Sequence, residues 1–254
     1  MNELRPVALV TGAARRVGRA VALDLAAASW AVAVHYNTAD DDARETIGMI
    51  EAAGGCAVAL GADLAREEEV QSLMPQAVAA LGQVTLLVNN ASVFEDDTVE
   101  TTTRESWELH MAVNLRAPFV LTQAFRRQLP EDRSGNIINI LDQRVWNLTP
   151  YFTSYTVSKA SLWTLTQTLA LALAPGIRVN AIGPGPTLPS SRQSDAQFRG
   201  QWSTIPLARP TAPTEIAQAV RFIIDAPAMT GQMIALDGGQ HLAWGQAAGK
   251  EQDE

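Results

Sequence analysis

Three residues near the middle of the chain have side chains suited to proton transfer. Tyr155 and Lys159 lie four positions apart in a segment with helical periodicity, and this spacing puts both side chains on one helix face. A lysine ammonium beside a phenol favours the ionised phenol, which makes the tyrosine a usable proton donor near neutral pH. Asp142 lies thirteen positions before Tyr155, directly after the apolar strand Asn136–Leu141. Together they predict an acid–base site at the end of a strand.

A glycine-containing turn near the N-terminus predicts a nucleotide-binding site. The segment VALVTGAARRVGR (Val7–Arg19) reads as a strand, a turn at Gly12 and a helix that starts near Arg16. Main-chain N–H groups at a helix N-terminus bind phosphate, and glycine lets the main chain approach it closely.

Short apolar runs alternate with helical patterns along the chain, and this alternation predicts the fold. Seven runs read as strands: Pro6–Val10, Ala31–His35, Cys56–Leu60, Thr85–Val88, Asn136–Ile140, Arg178–Ile182 and Met233–Leu236. Helical periodicity marks Val17–Ala28, Asp40–Ala53, Glu67–Ala80, Arg104–Gln128 and Tyr155–Leu173. We therefore expect an α/β fold, a single Rossmann-type doubly wound parallel sheet of about seven strands flanked by helices. The continuous apolar runs suit strands buried on both faces, and Gly183–Thr204 reads as an irregular lid.

Composition and charge exclude several classes of protein. The chain has 254 residues, 47% of them hydrophobic, and we expect one domain over residues 1–245 with a polar tail at 246–254. A net charge of −8 does not favour binding to nucleic acid. The chain contains no run of 18 apolar residues, so no membrane-spanning segment is predicted. One cysteine and a strand that starts almost at the N-terminus predict a cytoplasmic protein without an intrachain disulfide. His35, His110 and His241 are too scattered to predict a metal site.

These features together resemble the short-chain dehydrogenase/reductase family. Its pattern T-G-x-x-x-G-x-G is met at Thr11, Gly12 and Gly18, with Arg16 in place of the middle glycine. The resemblance implies that Tyr155 donates a proton, that Lys159 holds the nicotinamide ribose, and that Asn114 holds a water beside the lysine. It also implies these cofactor-binding residues: Gly12, Arg15, Arg16, Gly18, His35, Tyr36, Asn37, Thr38, Asp63, Asn90, Ala91, Lys159, Pro184 and Gly185.

The end of the second predicted strand favours NADPH over NADH. Enzymes that use NAD place an acid there to bind the ribose hydroxyls, and no acid occupies Ala31–Ala39. Arg15 and Arg16 add two positive charges in the adjacent loop, and arginine is well suited to phosphate. We expect NADPH/NADP as the cofactor.

Asp142 indicates a particular substrate chemistry. The family normally has a serine here, whose hydroxyl donates to a carbonyl oxygen, whereas an ionised carboxylate only accepts hydrogen bonds. It suits a ring that presents N–H groups, and a carboxyl beside Tyr155 is a candidate proton relay. The chain is similar to pteridine reductases at TGAARRVG, His35-Tyr36, Asn90–Phe94 and Asp142. That resemblance implies a pterin stacked between the nicotinamide and Phe94, with substrate contacts from Arg16, Ser92, Phe94, Asp142 and Tyr155.

Two enzymatic interpretations follow. The first is an NADPH-dependent reductase that transfers a hydride to the C=N bond of a pteridine-type ring, in a dihydropteridine or a dihydrofolate-like substrate. The alternative is a carbonyl reductase such as a 3-oxoacyl thioester reductase, which Asp142 disfavours because a carboxylate repels a developing alkoxide. A nucleotide-sensing scaffold is disfavoured because Tyr155 and Lys159 are both present. The resemblance also implies a homotetramer, a dimer of dimers paired through Arg104–Gln128 and Ala160–Leu173.

Overall fold

Seven parallel strands form one sheet at the centre of the molecule. The computed structural model describes residues 5–190 and 193–242, so the tail predicted at 246–254 lies outside the described residues. The strands are β1 (Val7–Val10), β2 (Ala31–Tyr36), β3 (Cys56–Gly61), β4 (Val84–Asn89), β5 (Gly135–Ile140), β6 (Ile177–Pro184) and β7 (Met233–Leu236). Their order is β3-β2-β1-β4-β5-β6-β7, with parallel pairing throughout. The predicted doubly wound sheet is confirmed.

Helices cover both faces of this sheet. They are α1 (Arg16–Ala27), α2 (Asp40–Ala52), α3 (Glu67–Leu81), α4 (Arg104–Met111), α5 (Ala117–Gln128), α6 (Thr153–Leu173), α7 (Asp195–Ser203) and α8 (Pro213–Ile224). The apolar faces of α1, α2 and α8 pack on one side of the sheet, and those of α3, α5 and α6 on the other. Alternate residues of β1 point into the two cores, as the period of a strand requires. No helix in the described part of the chain has the length and apolarity needed to cross a membrane.

The two edge strands differ from the prediction that each strand is buried on both faces. Most residues of β3 and β7 are only partly buried, and Cys56 at the start of β3 is half-buried. An edge strand has one neighbour, so part of its surface stays in contact with solvent. An apolar run marks a strand without showing its place in the sheet.

Three helical features also differ from the predicted pattern. The segment expected as one helix over Arg104–Gln128 contains a π-helical turn at Ala112–Arg116. The stretch Gly183–Thr204 is not wholly irregular, because α7 lies within it and starts at a capping box made by Ser194 and Gln197. Helix α8 was not predicted, although a proline in its first turn is a common start signal.

A buried histidine joins the turn after β1 to the end of β3. His35 is 1% exposed, and its Nδ1 accepts a hydrogen bond from the Gly12 N–H at 3.0 Å. Because Nδ1 accepts, the ring proton lies on Nε2, which donates to the Ala62 carbonyl oxygen at 3.0 Å. Burial lowers the pKa of His35 to about 4, against a smaller opposing effect of the bond to Ala62. The neutral ring thus holds the glycine turn in place.

We expect His35 to make the folded state sensitive to acid. The unfolded histidine has a pKa of about 6.5, so the unfolded chain binds the extra proton first as the pH falls. The stabilisation is complete above about pH 6.5 and is lost as the pH falls from there to about 4. His35→Asn keeps an acceptor that does not titrate, and should remove about 3 kcal/mol of the acid dependence of the unfolding free energy.

Urea unfolding of both proteins at about pH 7 and about pH 4.5 tests this expectation. The carboxylates, which also titrate in this range, are common to the two proteins and cancel in the comparison. Equal losses of stability in the two proteins would contradict the assigned role of His35.

Candidate active site

The carboxyl ends of the central strands open into one cleft. The strand order reverses between β1 and β4, and such a reversal leaves a crevice outside the strand ends. The cleft has a volume of about 730 Å³. Its walls include every residue predicted to bind the cofactor: Gly12, Arg15, Arg16, Gly18, His35, Tyr36, Asn37, Thr38, Asp63, Asn90, Ala91, Lys159, Pro184 and Gly185. The structure therefore gathers them at one site.

The turn after β1 brings bare main chain to the wall of the cleft. Gly12 has a φ of 63°, in the left-handed region, and a Cβ there would lie 3.0 Å from the Cα of Ala91. A Cβ at Gly18 would collide with the carbonyl oxygen of Gly12. Both positions need glycine, and together they let the N-terminus of α1 face the cleft with its free N–H groups. This is the geometry of a phosphate-binding turn.

Arg16 occupies the middle glycine position and keeps a glycine-like conformation. Its φ is 56°, and the left-handed region costs a non-glycine residue about 1–2 kcal/mol. The guanidinium donates to the carbonyl oxygens of Pro189 at 2.8 Å and Leu188 at 3.3 Å. Burial, together with the charge of Arg15, lowers the pKa of Arg16. Arg16 thus connects the glycine turn to the segment 183–204, which we call the lid.

The end of β2 carries no carboxylate that faces the cleft without a partner. Tyr36 donates its hydroxyl hydrogen bond to Asp40, which raises the pKa of the phenol, and Asp40 also pairs with Arg44 at 2.8 Å. Arg15 is 3.9 Å from Asp42 and remains largely exposed at the mouth of the cleft. The mouth therefore presents a guanidinium and polar uncharged groups.

Tyr155, Lys159 and Asp142 lie together on the floor of the cleft. The Tyr155 hydroxyl donates to Oδ2 of Asp142 at 3.0 Å, and Lys159 Nζ donates to the Ile140 carbonyl oxygen at 2.8 Å. Lys159 Nζ is 5.8 Å from the centre of the Tyr155 ring. Burial lowers the pKa of Lys159 to about 8, and the charge of Asp142 opposes that shift. Lys159 is therefore protonated at neutral pH and places a buried positive charge beside the phenol.

A buried arginine supports the Asp142 carboxylate. The main-chain N–H of Arg144 donates to Oδ1 of Asp142 at 2.8 Å, and its Nε lies 3.9 Å from Oδ2. The guanidinium also lies 4.7 Å from the Phe152 ring centre and 5.7 Å from that of Phe94. The sequence pattern does not single out Arg144. A basic residue two positions after a buried acid is the signal that could have found it.

The predicted substrate residue Phe94 is part of an aromatic cluster. Its ring is stacked on Phe152, with centroids 4.5 Å apart and planes 4° from parallel, and it meets Tyr155 edge-on at 4.7 Å. Phe152 is also absent from the predicted set. Phe94 also lines the cleft, so its ring lies both at the predicted substrate site and against the predicted proton donor Tyr155.

Asn114 holds the segment that precedes Phe94. Its Oδ1 accepts from the Val93 N–H at 2.8 Å and from the Ser92 hydroxyl at 3.2 Å. Its Nδ2 donates to the Val93 carbonyl oxygen at 2.9 Å and to the Ser158 hydroxyl at 3.0 Å. These bonds use the full capacity of the amide, and Asn114 does not line the cleft. The side chain therefore positions Ser92 and Val93, and a water held by Asn114 beside Lys159 stays a prediction.

A buried polar network fixes the start of α6. The Ser154 hydroxyl donates to Asp97 at 2.5 Å, and the Ser154 N–H donates to the same carboxylate at 3.1 Å. His110 Nδ1 lies 2.8 Å from the Ser154 hydroxyl, and its Nε2 accepts from the Glu95 N–H at 3.2 Å. Asp97 thus caps the helix that carries Tyr155 from within the loop that carries Phe94. None of these residues was predicted to belong to the site.

A smaller cavity of about 190 Å³ adjoins the cleft beneath the lid. Arg16, Phe94 and Asp142 line both spaces. The rest of the smaller cavity is lined largely by polar side chains: Gln143, Arg144, Thr187, Ser190, Gln193, Gln201 and Gln240. Within residues 5–190 and 193–242, no group of His, Cys, Asp or Glu side chains is arranged to hold a metal ion.

Comparisons with known proteins place the chain in a family. The model of a family described as Enoyl-(Acyl carrier protein) reductase matches residues 12–241. The solved structure of FolM alternative dihydrofolate reductase 1 from Brucella canis, complexed with NADP, is 48% identical with a TM-score of 0.93, covering 96% of this chain and 97% of that one. The Brucella suis protein of the same name, also with NADP, is 49% identical with a TM-score of 0.92, covering 95% and 97%.

A second type of relative has a different named activity. The 3-oxoacyl-[acyl-carrier-protein] reductase of Synechocystis is 35% identical over 237 residues, which cover 92% of this chain and 96% of that protein. The matched relatives are covered over nearly their whole length, and the family match at residues 12–241 spans the segments from Gly12 to Lys159 and beyond. The chain belongs to the short-chain dehydrogenase/reductase family.

Proposed function

We propose that this protein is an NADPH-dependent reductase of a pteridine-type ring, acting on a C=N bond of a dihydropteridine or a dihydrofolate-like substrate. One observation carries the proposal: the hydroxyl of Tyr155 donates to Asp142 at 3.0 Å, where the family normally has a hydroxyl donor. The two Brucella proteins, named as alternative dihydrofolate reductases, support the same substrate class at 48% and 49% identity.

The cleft fits NADPH. The glycine turn leaves room for phosphate at the N-terminus of α1 and Arg15 lies at the mouth. Asp40 is paired with Tyr36 and Arg44, and Asp42 with Arg15 and Arg19. Both Brucella structures contain NADP, and a related protein from a metagenomic library was solved with NADPH. When bound, NADPH supplies the hydride. Lys159, two per cent exposed on the floor of the cleft, is placed to hold the ribose.

Tyr155, Lys159 and Asp142 would have different roles in the transfer of the proton. Tyr155 holds a proton on its hydroxyl oxygen and releases it to a ring nitrogen. The phenolate that remains is stabilised by the ammonium of Lys159. Asp142 accepts the hydrogen bond of the phenol and can also accept one from a ring N–H, which orients the ring. As a relay, its carboxylate would take the Tyr155 proton, pass it to the unprotonated C=N nitrogen and be left ionised again. The carbonyl oxygen of a ketone substrate carries no proton that it could donate to this carboxylate, whereas a pteridine ring carries N–H groups that can donate to it.

Reduction of a 3-oxoacyl thioester is the second candidate function. The Synechocystis relative, which is named for that activity, favours it at 35% identity. Asp142 disfavours it because an ionised carboxylate cannot donate to the substrate oxygen and repels the charge that develops there. Assembly as a homotetramer through α5 and α6 stays a prediction. Exposed apolar residues on α6, Val157 and Leu171, are compatible with it.

Arg16→Gly should weaken NADPH binding without loss of stability. The left-handed backbone is relieved, which offsets the greater freedom of glycine in the unfolded chain. The Kd for NADPH should rise about 10-fold, in line with a lost charge-assisted hydrogen bond. Titration of intrinsic fluorescence gives the Kd, and thermal unfolding gives the stability. Wild-type affinity in the variant, or equal kcat/KM for NADPH and NADH in the wild type, would contradict the assigned cofactor chemistry.

Tyr155→Phe should abolish most turnover and leave NADPH affinity nearly intact. Loss of a general acid costs on the order of 10²-fold or more in rate. The ring still fills its place against Phe94, so the packing is preserved. Single-turnover reduction of dihydrobiopterin, followed by NADPH absorbance, measures the loss. Near-normal turnover would assign the proton donor to another group, with Asp142 first.

Asp142→Ser should separate the two candidate functions. Reduction of dihydrobiopterin should fall because the carboxylate beside Tyr155 is gone, and reduction of an acetoacetyl thioester should rise because serine donates to an oxyanion. An oxyanion donor is worth about 3 kcal/mol, so the gain should be measurable. Asp142→Asn, which keeps the shape, is the matched control. A wild type that reduces the thioester well and ignores dihydropteridines and dihydrofolate would support the second function.

A further inference from the structure

The buried side chain of Gln143 has an acceptor that the fold does not use. Gln143 follows Asp142 in a short 3-10 turn, Gln143–Val145, and is 4% exposed. Its Oε1 is buried and has no hydrogen-bond partner among residues 5–190 and 193–242. Its main-chain carbonyl accepts from the Trp146 N–H at 2.9 Å, so the turn is satisfied without the side chain. A buried acceptor without a partner lowers stability, and a glutamine at this position therefore needs another reason.

Gln143 lines the smaller cavity together with three other glutamines. Gln193 belongs to the lid, Gln201 to α7, and Gln240 to the 3-10 turn Gln240–Leu242. We call these four residues the amide cluster. Gln193 and Gln201 both lie in the lid, where Gln193 donates to Gln201 at 3.3 Å, and Gln143 and Gln240 come from two other segments of the chain. Carboxamides both donate and accept, so they suit a polar ligand group without a net charge.

The position of the cavity relates this cluster to the substrate. Asp142 and Phe94 line both the cleft and the cavity, so a ring that contacts them lies next to the amide cluster. The volume of about 190 Å³ is below the size of a typical ligand pocket and limits the substituent to a short group. An alkyl chain there would leave Gln143 Oε1 buried without a partner, which is unfavourable.

We propose that the amide cluster binds a short, polar, uncharged substituent of the reduced ring, and that Gln143 Oε1 accepts an N–H or O–H hydrogen bond from it. The inference rests on the proposed function and makes it more specific. Gln143 then determines which ring substituent is preferred, while Tyr155 and Asp142 act on the ring itself.

The test compares two dihydropterins with the same ring. Dihydrobiopterin has a hydroxylated substituent, and 6,7-dimethyl-7,8-dihydropterin has methyl groups only. In Gln143→Met, which preserves volume, the KM for dihydrobiopterin should rise about 10-fold and that for the dimethyl compound less than about 2-fold. The unfolding midpoint should stay constant or rise, because an unsatisfied buried acceptor has been removed. Gln76→Met, an exposed substitution on α3, is the control and should change neither KM.

Binding without turnover gives an independent measurement. Fluorescence titration of the protein with NADP bound should show weaker affinity of Gln143→Met for biopterin and unchanged affinity for 6,7-dimethylpterin. Equal changes for the two pterins, or a marked fall in the unfolding midpoint, would overturn the role of Gln143 and leave the proposed function standing. A wild type that reduces neither dihydropterin, and does not reduce dihydrofolate, would overturn both.

Discussion

Hydrogen bonds across the gap between β1 and β4 are the constraint on which the cleft depends. Thr11 Oγ1 accepts from the N–H groups of Asn90 and Ala91 at 2.9 and 3.0 Å, and Asn90 Nδ2 donates back to the Thr11 carbonyl oxygen at 2.8 Å. A buried chain continues from Asn89 through Asn139 to α6. The ends of the two strands diverge at this point. Hydrogen bonds made by side chains therefore replace the main-chain hydrogen bonds that join neighbouring strands elsewhere in the sheet. These amide hydrogen bonds hold the glycine turn and helix α6 in fixed positions relative to each other.

The replacement of serine by Asp142 alters the charge of the site and not only its hydrogen bonding. A buried carboxylate is costly unless it is paired and bonded. Here Arg144 supplies both an N–H bond and a nearby guanidinium, and Lys159 adds a second positive charge. The guanidinium is itself stacked against Phe152. The acid is therefore supported by both the hydrogen bonding and the packing of this turn.

The sequence was sufficient where local pattern determines structure, and insufficient where packing does. Apolar runs predicted the strands, and the spacing of Tyr155 and Lys159 predicted their common helix face, because both follow from backbone periodicity. The contacts of Asp97 with Ser154 join segments 57 residues apart, and no periodicity encodes them. The π-helical turn at Ala112–Arg116 is also invisible to a helical pattern, yet it carries Asn114 at its centre. Side-chain partners of this kind depend on the assembled tertiary structure.

Three departures from local rules lie at the cleft. Arg16 and Phe152 both have left-handed backbones, with φ of 56° and 57°, and each places its side chain at the site. Gln143 buries an acceptor that the fold leaves unpaired. Each of these features lowers the stability of the fold, so contacts with the surrounding structure must hold it in place. Phe152 shows how: its left-handed backbone starts α6, while its ring contacts both the ring of Phe94 and the guanidinium of Arg144. Phe94 in turn meets Tyr155 edge-on, so the start of α6 supports the ring that lies against the proton donor.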